Sequence, residues 1–316
     1  MIRIKNMIKN NPLVSVLIPI YNVSPYIEES INSILNQTYT NIEIIAIDDC
    51  STDNTFEIVK SMATKDRRLK VLKNSVNLKI SKTLNIAYKL SKGEFILRMD
   101  GDDVSSEDRI EKKLNFLFNN QNIDLVGCST KTISADGEYL GKTKMPSDLN
   151  IIEKLLPFSS PIRHIWLARR SVYEKLHSYR DIPGVEDYDF LLRARYNHIS
   201  ITNVENYFGY SVRIGREGST ISTLSYKQLI LKKLVYKDFK SKYKTSVDYE
   251  KIVINKHMLR LHAFSSLQLQ KAIEAYSRKN IVKTFYYLAL AVMSPYQVRY
   301  LFERVAVRYL TRKYKV

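Results

Sequence analysis

The chain is poor in cysteine and has no long apolar run. Cys50 and Cys128 are the only cysteines among 316 residues, and a lone pair in a chain of this length fits a reducing compartment better than a disulfide framework. We expect both to be small buried residues. The longest candidate for a membrane span, Phe285 to Met293, is far shorter than the roughly 18 apolar residues required. The sequence therefore predicts neither disulfides nor a membrane-crossing helix.

Familiar targeting and ligand motifs are also missing. The apolar run Leu13 to Ile20 follows two lysines, as in a secretion signal, but Ser15 and Pro19 interrupt it and no small-residue cleavage site follows. The chain contains no GxxxxGKS or GxxxxGKT loop, no GxGxxG after a predicted strand and no HExxH. His257 and His262 are five residues apart, which is wrong for one helical face. We therefore expect no zinc site.

Positive charge is concentrated at one end of the chain. The net charge is +18 and the pI is near 9.6. Residues 225–316 carry 20 Lys and Arg against five Asp and Glu, which leaves a net charge of only +3 for residues 1–224. The pI alone suggests a nucleic-acid-binding protein, but confinement of the charge to the C-terminal segment argues against one. We expect no nucleic-acid partner.

The order of apolar patterns predicts an α/β fold. Residues 13–124 alternate short β-branched runs with amphipathic segments, as in a mostly parallel sheet with flanking helices. The predicted strands are Val14–Pro19, Ile42–Ile47, Phe95–Met99 and Ile123–Cys128. Helical spacing predicts helices over Ile27–Leu35 and Ile110–Phe118, with Asp53 and Ser106 as N-caps. Asp136-Gly137 predicts a hairpin turn.

Polar side chains follow three predicted strands, where open parallel sheets bind ligands. The segments are Tyr21-Asn22, Asp48-Asp49 and Asp100-Gly101-Asp102-Asp103. Three carboxylates within four residues are costly unless a cation neutralises them. Mg²⁺ and Mn²⁺ prefer oxygen ligands and share their coordination with substrate phosphates. The alternative is a solvated acidic turn that caps the next helix, but the acids at the neighbouring strand end favour a metal site.

Four segments together resemble the family 2 glycosyltransferases. They are VSVLIPIYN at 14–22, IIAIDDCSTDNT at 44–55, GEFILRMDGDD at 93–103 and GVEDYDFLLR at 184–193. Their order and spacing match, and the similarity covers about residues 12–224. The resemblance implies a GT-A fold, a nucleotide-sugar donor, a divalent metal and inversion at the anomeric carbon.

Carried over by position, the resemblance implies roles for residues on the donor side. Pro19 and Tyr21 match positions that line the nucleotide pocket, and Asp49 matches the residue that receives the uracil. Arg98 and Arg109 flank the acidic motif, as they do in similar enzymes. The alternative for these two arginines is a surface ion pair with the local acids.

The same resemblance implies which acids bind and which react. Asp100 and Asp102 match the DxD pair at the ribose and the metal-bound diphosphate, and Asp103 lies beside them as a further metal ligand for Mn²⁺ or Mg²⁺. Glu186-Asp187 resembles the ED motif, whose aspartate acts as the base. The alternative is that both acids stabilise a helix N-terminus through its dipole.

Other positions match less closely. His164 and the stretch Tyr210 to Ser222, with Arg213 and Ser219, resemble positions near the acceptor. Similar sequences usually carry a glycine after the asparagine matched by Asn77, whereas this chain has Leu78-Lys79-Ile80. Gly101 replaces a common alanine, and Trp166 replaces a smaller residue. These departures bear on donor or acceptor preference.

The C-terminal segment calls for a separate interpretation. Ser294 and Pro295 are a predicted N-cap and first helical position. An apolar face follows at helical spacing, formed by Val298, Leu301, Phe302, Val305 and Tyr309, next to a stripe of Arg304, Arg308 and Arg312. Such a helix fits the surface of an anionic membrane. The alternative is a helix packed on the catalytic domain.

The resemblance, together with the basic C-terminal segment, implies an inverting glycosyltransferase that moves a sugar from a UDP-sugar to a glycan or lipid-linked acceptor in bacterial surface polysaccharide synthesis. We expect a catalytic domain over residues 1–224, in which the donor part spans about 12–125 and the acceptor part about 126–224. A basic helical tail follows over 225–316. The predicted location is the cytoplasmic face of the inner membrane. Three rival interpretations are a nucleotidyltransferase, a noncatalytic glycan-binding relic and a nucleic-acid-binding protein. A nucleotidyltransferase would carry a glycine-rich basic loop after its first strand, and this sequence has no such loop there.

Overall fold

The protein is a mixed α/β structure, seen in a computed structural model that describes residues 11–182, 184–215, 225–243, 249, 255–277 and 279–313. The described strands are β1 Val14–Ile20, β2 Ile42–Asp48, β3 Leu69–Lys73, β4 Phe95–Arg98, β5 Val104–Ser105, β6 Leu125–Ile133, β7 Tyr139–Thr143, β8 Leu167–Arg169 and β9 Ile201–Arg213. The described helices are α1 Ile27–Leu35, α2 Thr55–Lys65, α3 Lys79–Leu90, α4 Arg109–Asn119, α5 Leu149–Leu155, α6 Arg170–Leu176, α7 Glu186–Tyr196, α8 Ser225–Lys240, α9 Lys256–Ser277, α10 Ile281–Ala291 and α11 Pro295–Lys313.

One sheet organises the N-terminal two thirds of the chain. Its order is β3-β2-β1-β4-β8-β6-β9-β5, with β7 paired to β6. Strands β3, β2, β1 and β4 are mutually parallel, whereas β8 is antiparallel to both β4 and β6. The parallel half matches the mostly parallel sheet predicted for residues 13–124. The four predicted strands and the hairpin turn are confirmed.

Helices cover both faces of the sheet. Because successive side chains of a strand point to opposite faces, Val16 and Ile18 of β1 pack with α1 and α4, whereas Leu17 packs with α3 and α7. All three are fully buried. Burial on both faces explains why β1 reads as a continuous apolar run.

The helix starts differ from the predicted caps. The N-cap of α2 is Asn54, and the N-cap of α4 is Asp108. Asp53 lies one residue earlier, where its carboxylate accepts hydrogen bonds from the backbone N–H groups of Thr55 and Ser24. The predictions of Asp53 and Ser106 as N-caps were therefore wrong by one and two residues, because turn hydrogen bonds extend the loops before both helices.

The first helix of the C-terminal segment, α8, shares a core with α7. Leu231 and Val235 of α8 pack with Tyr188 and Leu192 of α7. An ion network adds to this contact: the half-buried Arg180 pairs with the buried Asp189 of α7 and, at 3.3 Å, with the buried Asp238 of α8. The predicted boundary at residue 224 falls outside the described residues and stays a prediction.

The last three helices carry much exposed apolar surface. Helices α9 and α10 pack as a hairpin, and α11 contacts α5 and α9. As predicted, α11 begins at Pro295, and the hydroxyl of Ser294 accepts a hydrogen bond from the N–H of Gln297 at 3.4 Å. Within the described residues, every helix is too short or too polar to cross a bilayer.

Candidate active site

Three parallel strands bring the predicted polar segments to one edge of the sheet. Ile20 of β1 pairs with Asp48 of β2, and Leu17 of β1 pairs with Arg98 of β4. The residues that follow these strands therefore begin side by side, as parallel topology requires. At this edge Tyr21 is 45% exposed, and Pro19 is half-buried.

Asp49 organises the loop that closes one side of this edge. Its Oδ1 accepts hydrogen bonds from the Asn74 side chain and the Leu78 N–H, both at 2.8 Å, and its Oδ2 accepts one from the Lys79 N–H at 2.9 Å. A carboxylate offers about four acceptor sites. The loop leaves one acceptor site on Oδ2 unused in this buried residue, and that is the site that the predicted uracil N–H would need.

Lys79 stands in this loop with a left-handed backbone conformation, φ = 68°. Glycine adopts this conformation without penalty, whereas a non-glycine residue costs about 1–2 kcal/mol there. The backbone N–H of the exposed lysine still donates to Asp49, but its Cβ makes the left-handed backbone conformation strained.

Replacing Lys79 by glycine should therefore stabilise the protein. We expect Lys79→Gly to raise the free energy of unfolding by about 0.5–1 kcal/mol, because relief of the left-handed strain exceeds the added entropy of the unfolded chain. Urea denaturation checks this. The control Lys89→Gly, at an exposed position in the same helix, should lower stability by about 1 kcal/mol. Destabilisation by both variants would contradict the account of this loop.

Hydrogen bonds join the acidic turn after β4 to residues of β9. The backbone N–H of Asp100 donates to the Tyr210 hydroxyl at 3.1 Å, and the backbone N–H of Arg213 donates to Asp103 Oδ1 at 2.7 Å. The Arg213 guanidinium donates to the Asp102 carbonyl at 2.9 Å. Arg213, predicted near the acceptor, therefore supports the acidic turn. Ser219 lies outside the described residues.

Gly101 lets the turn lie close to β1. A Cβ on this residue would be 2.6 Å from Ile20 Cγ2 and 3.2 Å from Ile27 Cδ1. An alanine at this position would push the turn away from the first strand. The departure from the common alanine therefore fits the bulk of Ile20 beneath it.

The acids of the turn differ in their surroundings. The Asp103 side chain is buried, and burial, together with the charges of Asp102 and Asp100, raises its pKa to about 8. Asp102 is partly exposed, and Asp100 is 25% exposed. Such crowded carboxylates are a donor set that a divalent cation would neutralise. Asp102 can reach a ligand, whereas Asp103 is tied to the Arg213 N–H.

Two buried arginines lie behind the turn, so the alternative of surface ion pairs was wrong. Arg98 is 2% exposed and donates to Glu186 Oε1 at 3.1 Å, while its Nε lies 3.6 Å from Asp100 Oδ1. Arg109 is fully buried, with its guanidinium carbon 4.7 Å from the centre of the Tyr210 ring. Arg98 therefore links the acidic turn to the start of α7.

His164 joins the two predicted motifs. Its Nε2 lies 2.8 Å from Asp100 Oδ2, and its Nδ1 lies 3.7 Å from Asp187 Oδ2. Burial alone lowers the pKa of His164, but the charge of Asp100 and the interactions of the ring with Asp100 and Asp187 together outweigh burial and raise the pKa to about 9. Burial likewise raises the pKa of Asp187, and the interaction with His164 overrides it and leaves the pKa below its ordinary value. Asp187 is therefore ionised at neutral pH.

Asp187 and Glu186 occupy the first turn of α7, as the helix-dipole alternative requires. Asp187 Oδ1 accepts the Tyr188 N–H at 2.7 Å, while Oδ2 faces His164. Glu186 is buried against Arg98, and burial raises its pKa. Asp187 is 25% exposed. Of the two acids, only Asp187 has a carboxylate with access to a ligand.

Among the described residues, no group of three or more His, Cys, Asp or Glu side chains forms a complete metal site. Such a group is not required where phosphate oxygens complete the coordination, because Mg²⁺ is commonly held by one or two carboxylates. The residues at the turn fit this kind of shared site.

The raised pKa of His164 predicts a pH-dependent contribution to stability. The contribution should be fully present below about pH 6.5, the unfolded value, and should disappear as the pH rises through about 9. We therefore expect the difference in the free energy of unfolding between the parent and His164→Gln to be largest at pH 6. Urea denaturation from pH 6 to 9.5 measures the difference, with the exposed His257→Gln as control. A difference that is constant across this range would contradict the ion pair.

The chain is similar to proteins of one enzyme family. Residues 15–177 match the profile of Glycosyl transferase family 2. An uncharacterised glycosyltransferase of Haemophilus influenzae is 36% identical over 193 residues, 58% of this chain and 60% of the relative. The O-antigen biosynthesis glycosyltransferase WbnJ of Escherichia coli is 34% identical over 185 residues, 57% of this chain and 71% of the relative. The chain thus spans less than two thirds of the first relative.

Two solved structures share the fold. The S. aureus TarS fragment 1–349, in complex with UDP-GlcNAc, has a TM-score of 0.59 and 19% identity, covering 87% of this chain and 90% of that one. Mannosyltransferase PcManGT of Pyrobaculum calidifontis, in complex with GDP-Man and Mn²⁺, has a TM-score of 0.60 and 17% identity, covering 96% and 92%. The predicted GT-A fold is confirmed.

Proposed function

Because the chain belongs to glycosyl transferase family 2 and is a glycosyltransferase, we propose that it transfers a sugar with inversion from a UDP-sugar to a hydroxyl of a glycan or lipid-linked glycan. The observation that carries this proposal is the contact of His164 with both Asp100 and Asp187. Through it, the predicted donor-binding acid and the predicted base belong to one site.

On the donor side, the proposal assigns the nucleotide to the edge beside β1 and β2. Tyr21 and Pro19 would line the base and Asp49 would accept its N–H, while Asp100 would receive the ribose. Binding of UDP-GlcNAc by TarS and of GDP-Man by PcManGT supports a nucleotide-sugar donor. The uridine base rests on the resemblance alone.

The proposed reaction uses the ionised carboxylate of Asp187. The acceptor oxygen bonds to the anomeric carbon as Asp187 takes its proton, and the bond from that carbon to the diphosphate breaks, so that UDP leaves. General-base assistance of this kind is worth about 10²- to 10⁴-fold in rate. His164 and the helix N-terminus hold the carboxylate in its ionised form.

Asp102, with Asp103 beside it, would hold Mn²⁺ or Mg²⁺. When bound, the cation would neutralise the charge of the leaving diphosphate. The Mn²⁺ complex of PcManGT supports the use of a divalent metal. Asp103 also shapes the turn, since its carboxyl group accepts the Arg213 N–H.

Proton NMR of the reaction tests the inverting transfer directly. With a UDP-α-sugar and water as acceptor, the first sugar released should be the β anomer. Initial release of the α anomer would contradict inversion. Release of sugar 1-phosphate on addition of pyrophosphate, with UTP as the second product, would instead indicate the rival nucleotidyl chemistry.

The acceptor and its location are also part of the proposal. Similarity to an O-antigen biosynthesis enzyme supports a bacterial surface polysaccharide, and the basic C-terminal segment supports contact with an anionic membrane. In α11 the predicted apolar face is exposed at Val298, Phe302, Val305 and Tyr309. Helix α11 also contacts α5, as the packed-helix alternative requires, so the two interpretations differ in what the exposed face binds.

Reversing two charges of α11 should weaken membrane binding. Arg304 and Arg308 are exposed, and each basic residue near an anionic surface contributes about 1 kcal/mol. We expect Arg304→Glu with Arg308→Glu to reduce sedimentation with phosphatidylglycerol vesicles by about 10-fold or more. The Lys89→Glu, Lys92→Glu pair, which is exposed in the catalytic part, is the control. Equal losses from both pairs would indicate nonspecific charge.

A further inference from the structure

Helix α10 presents an outward surface made only of apolar side chains. The exposed positions on this face and just past its end are Ile281, Val282, Phe285, Tyr286, Ala289, Val292 and Met293. At about 100° per residue they all fall within an arc of about 140°. We call these seven residues the α10 ridge.

The exposure of the α10 ridge is unusual for a water-facing helix. Val282 is 81% exposed, Phe285 is 69% exposed and Tyr286 is 61% exposed. Ala291, on the opposite face, is fully buried against the rest of the chain. The helix therefore packs against the rest of the chain through the face that carries Ala291. The apolar ridge on the opposite face is exposed to solvent. Contiguous exposed apolar patches mark surfaces that are covered in the functional protein.

The charges around the ridge favour a lipid surface as its cover. Lys279 and Lys283 are exposed at the N-terminal flank of the ridge, while the ridge itself carries no charge. Residues 225–316 have a net charge of +15. A self-associating surface would bring these like charges together, whereas an anionic membrane would neutralise them. Lysines at such flanks can extend their ammonium groups to headgroups while their stems stay in apolar surroundings.

We propose that the α10 ridge inserts into the headgroup–acyl boundary of an anionic membrane and is the main apolar anchor of the protein. This inference rests on the membrane contact proposed above and deepens it, because it assigns insertion to α10 and leaves surface attraction to the arginines of α11. The helix is about 16 Å long and lies in the interface plane, as amphipathic anchors do.

The chain allows a direct test of insertion by fluorescence. Its single tryptophan, Trp166, is fully buried and stacked on Phe190, so a new surface tryptophan reports separately. Phe285→Trp places the reporter on the ridge. Tyr139→Trp places it at a 60% exposed position of β7. The vesicles contain phosphatidylglycerol and brominated phosphatidylcholine, whose bromine atoms quench fluorescence within the acyl layer.

We expect vesicles to quench Phe285→Trp by half or more and to leave Tyr139→Trp unchanged. Val282→Asp, at the most exposed ridge position, should lower vesicle affinity by about 10-fold or more without changing thermal stability. Pelleting with vesicles without quenching at residue 285 would overturn insertion while keeping membrane contact. A dimer in sedimentation velocity that Val282→Asp dissociates would overturn it in favour of a second copy of the chain. UDP release in detergent-free solution tests the transferase proposal independently.

Discussion

Asp187→Asn should reduce UDP release by about 10²-fold or more while leaving UDP affinity within a few-fold of the parent. The amide cannot take the acceptor's proton at neutral pH, so the loss falls on the chemical step. Donor binding should persist because Asp102 and Asp49 are untouched. Steady-state turnover, measured as UDP released, and UDP titration by calorimetry separate the two quantities.

A matched substitution distinguishes a base from a helix cap. Asp148 is the N-cap of α5, where its side chain accepts from the N–H groups of Asn150 and Ile151. Asp148→Asn should change stability by about 1 kcal/mol or less and leave turnover intact. Near-parental turnover of Asp187→Asn would remove Asp187 as the base. The next residues to test would be Glu186 and then Asp189. Both acids already form ion pairs: Glu186 pairs with Arg98, and Asp189 pairs with Arg180 and Arg193.

Asp102→Ala should abolish the metal dependence of stabilisation by UDP. We expect the parent to gain several degrees in Tm from UDP with Mn²⁺ and much less from UDP alone, because the cation joins protein and phosphates. The variant should gain equally little under both conditions. Thermal denaturation with and without EDTA measures this difference.

The control for Asp102 is an exposed acid outside the site. Asp136→Ala, in the β6–β7 hairpin turn, should keep the full metal-dependent gain. If Asp102→Ala retains that gain, the metal is bound elsewhere. Asp103→Ala should act differently, with a loss of stability in the absence of metal, because alanine cannot accept the Arg213 N–H that the Asp103 carboxyl group accepts.

Most of the sheet was predictable because its signals are local. β1 and β2 are buried on both faces and read as apolar runs, and the acids after β2 and β4 mark strand ends in the sequence itself. The caps were less predictable, since Asp53, Asn54 and Thr55 all carry side chains suited to a helix start. Tertiary hydrogen bonds from Ser24 to Asp53 decided among them.

The environment of the site was not predictable from local signals. The Arg213–Asp103 contact joins residues 110 positions apart. The sequence around either residue contains no signal that predicts the other as its partner. For Arg98 and Arg109 the sequence leaves a surface ion pair as an alternative, because buried arginines are rare. Their burial depends on Glu186 and Tyr210, which arrive from distant elements. His164 matched only weakly in sequence, yet it contacts both acidic motifs.

Some departures from similar sequences have a structural explanation. Lys79 occupies a left-handed position, and Gly101 makes room for Ile20. Trp166 lies in the core, where its Nε1 donates to the Tyr173 hydroxyl at 3.0 Å. Any influence of Trp166 on acceptor preference must therefore pass through packing, because the side chain is fully buried.

The most direct test of the whole account is UDP release from a panel of UDP-sugars by the purified parent protein, with Mn²⁺ or with EDTA. We predict that at least one UDP-sugar is cleaved with Mn²⁺ and that EDTA abolishes the release. Failure of the parent to release UDP from every UDP-sugar in the presence of Mn²⁺, combined with release of GDP from a GDP-sugar, would contradict the proposed donor. Failure to cleave or bind any nucleotide sugar would contradict the assignment of the site itself.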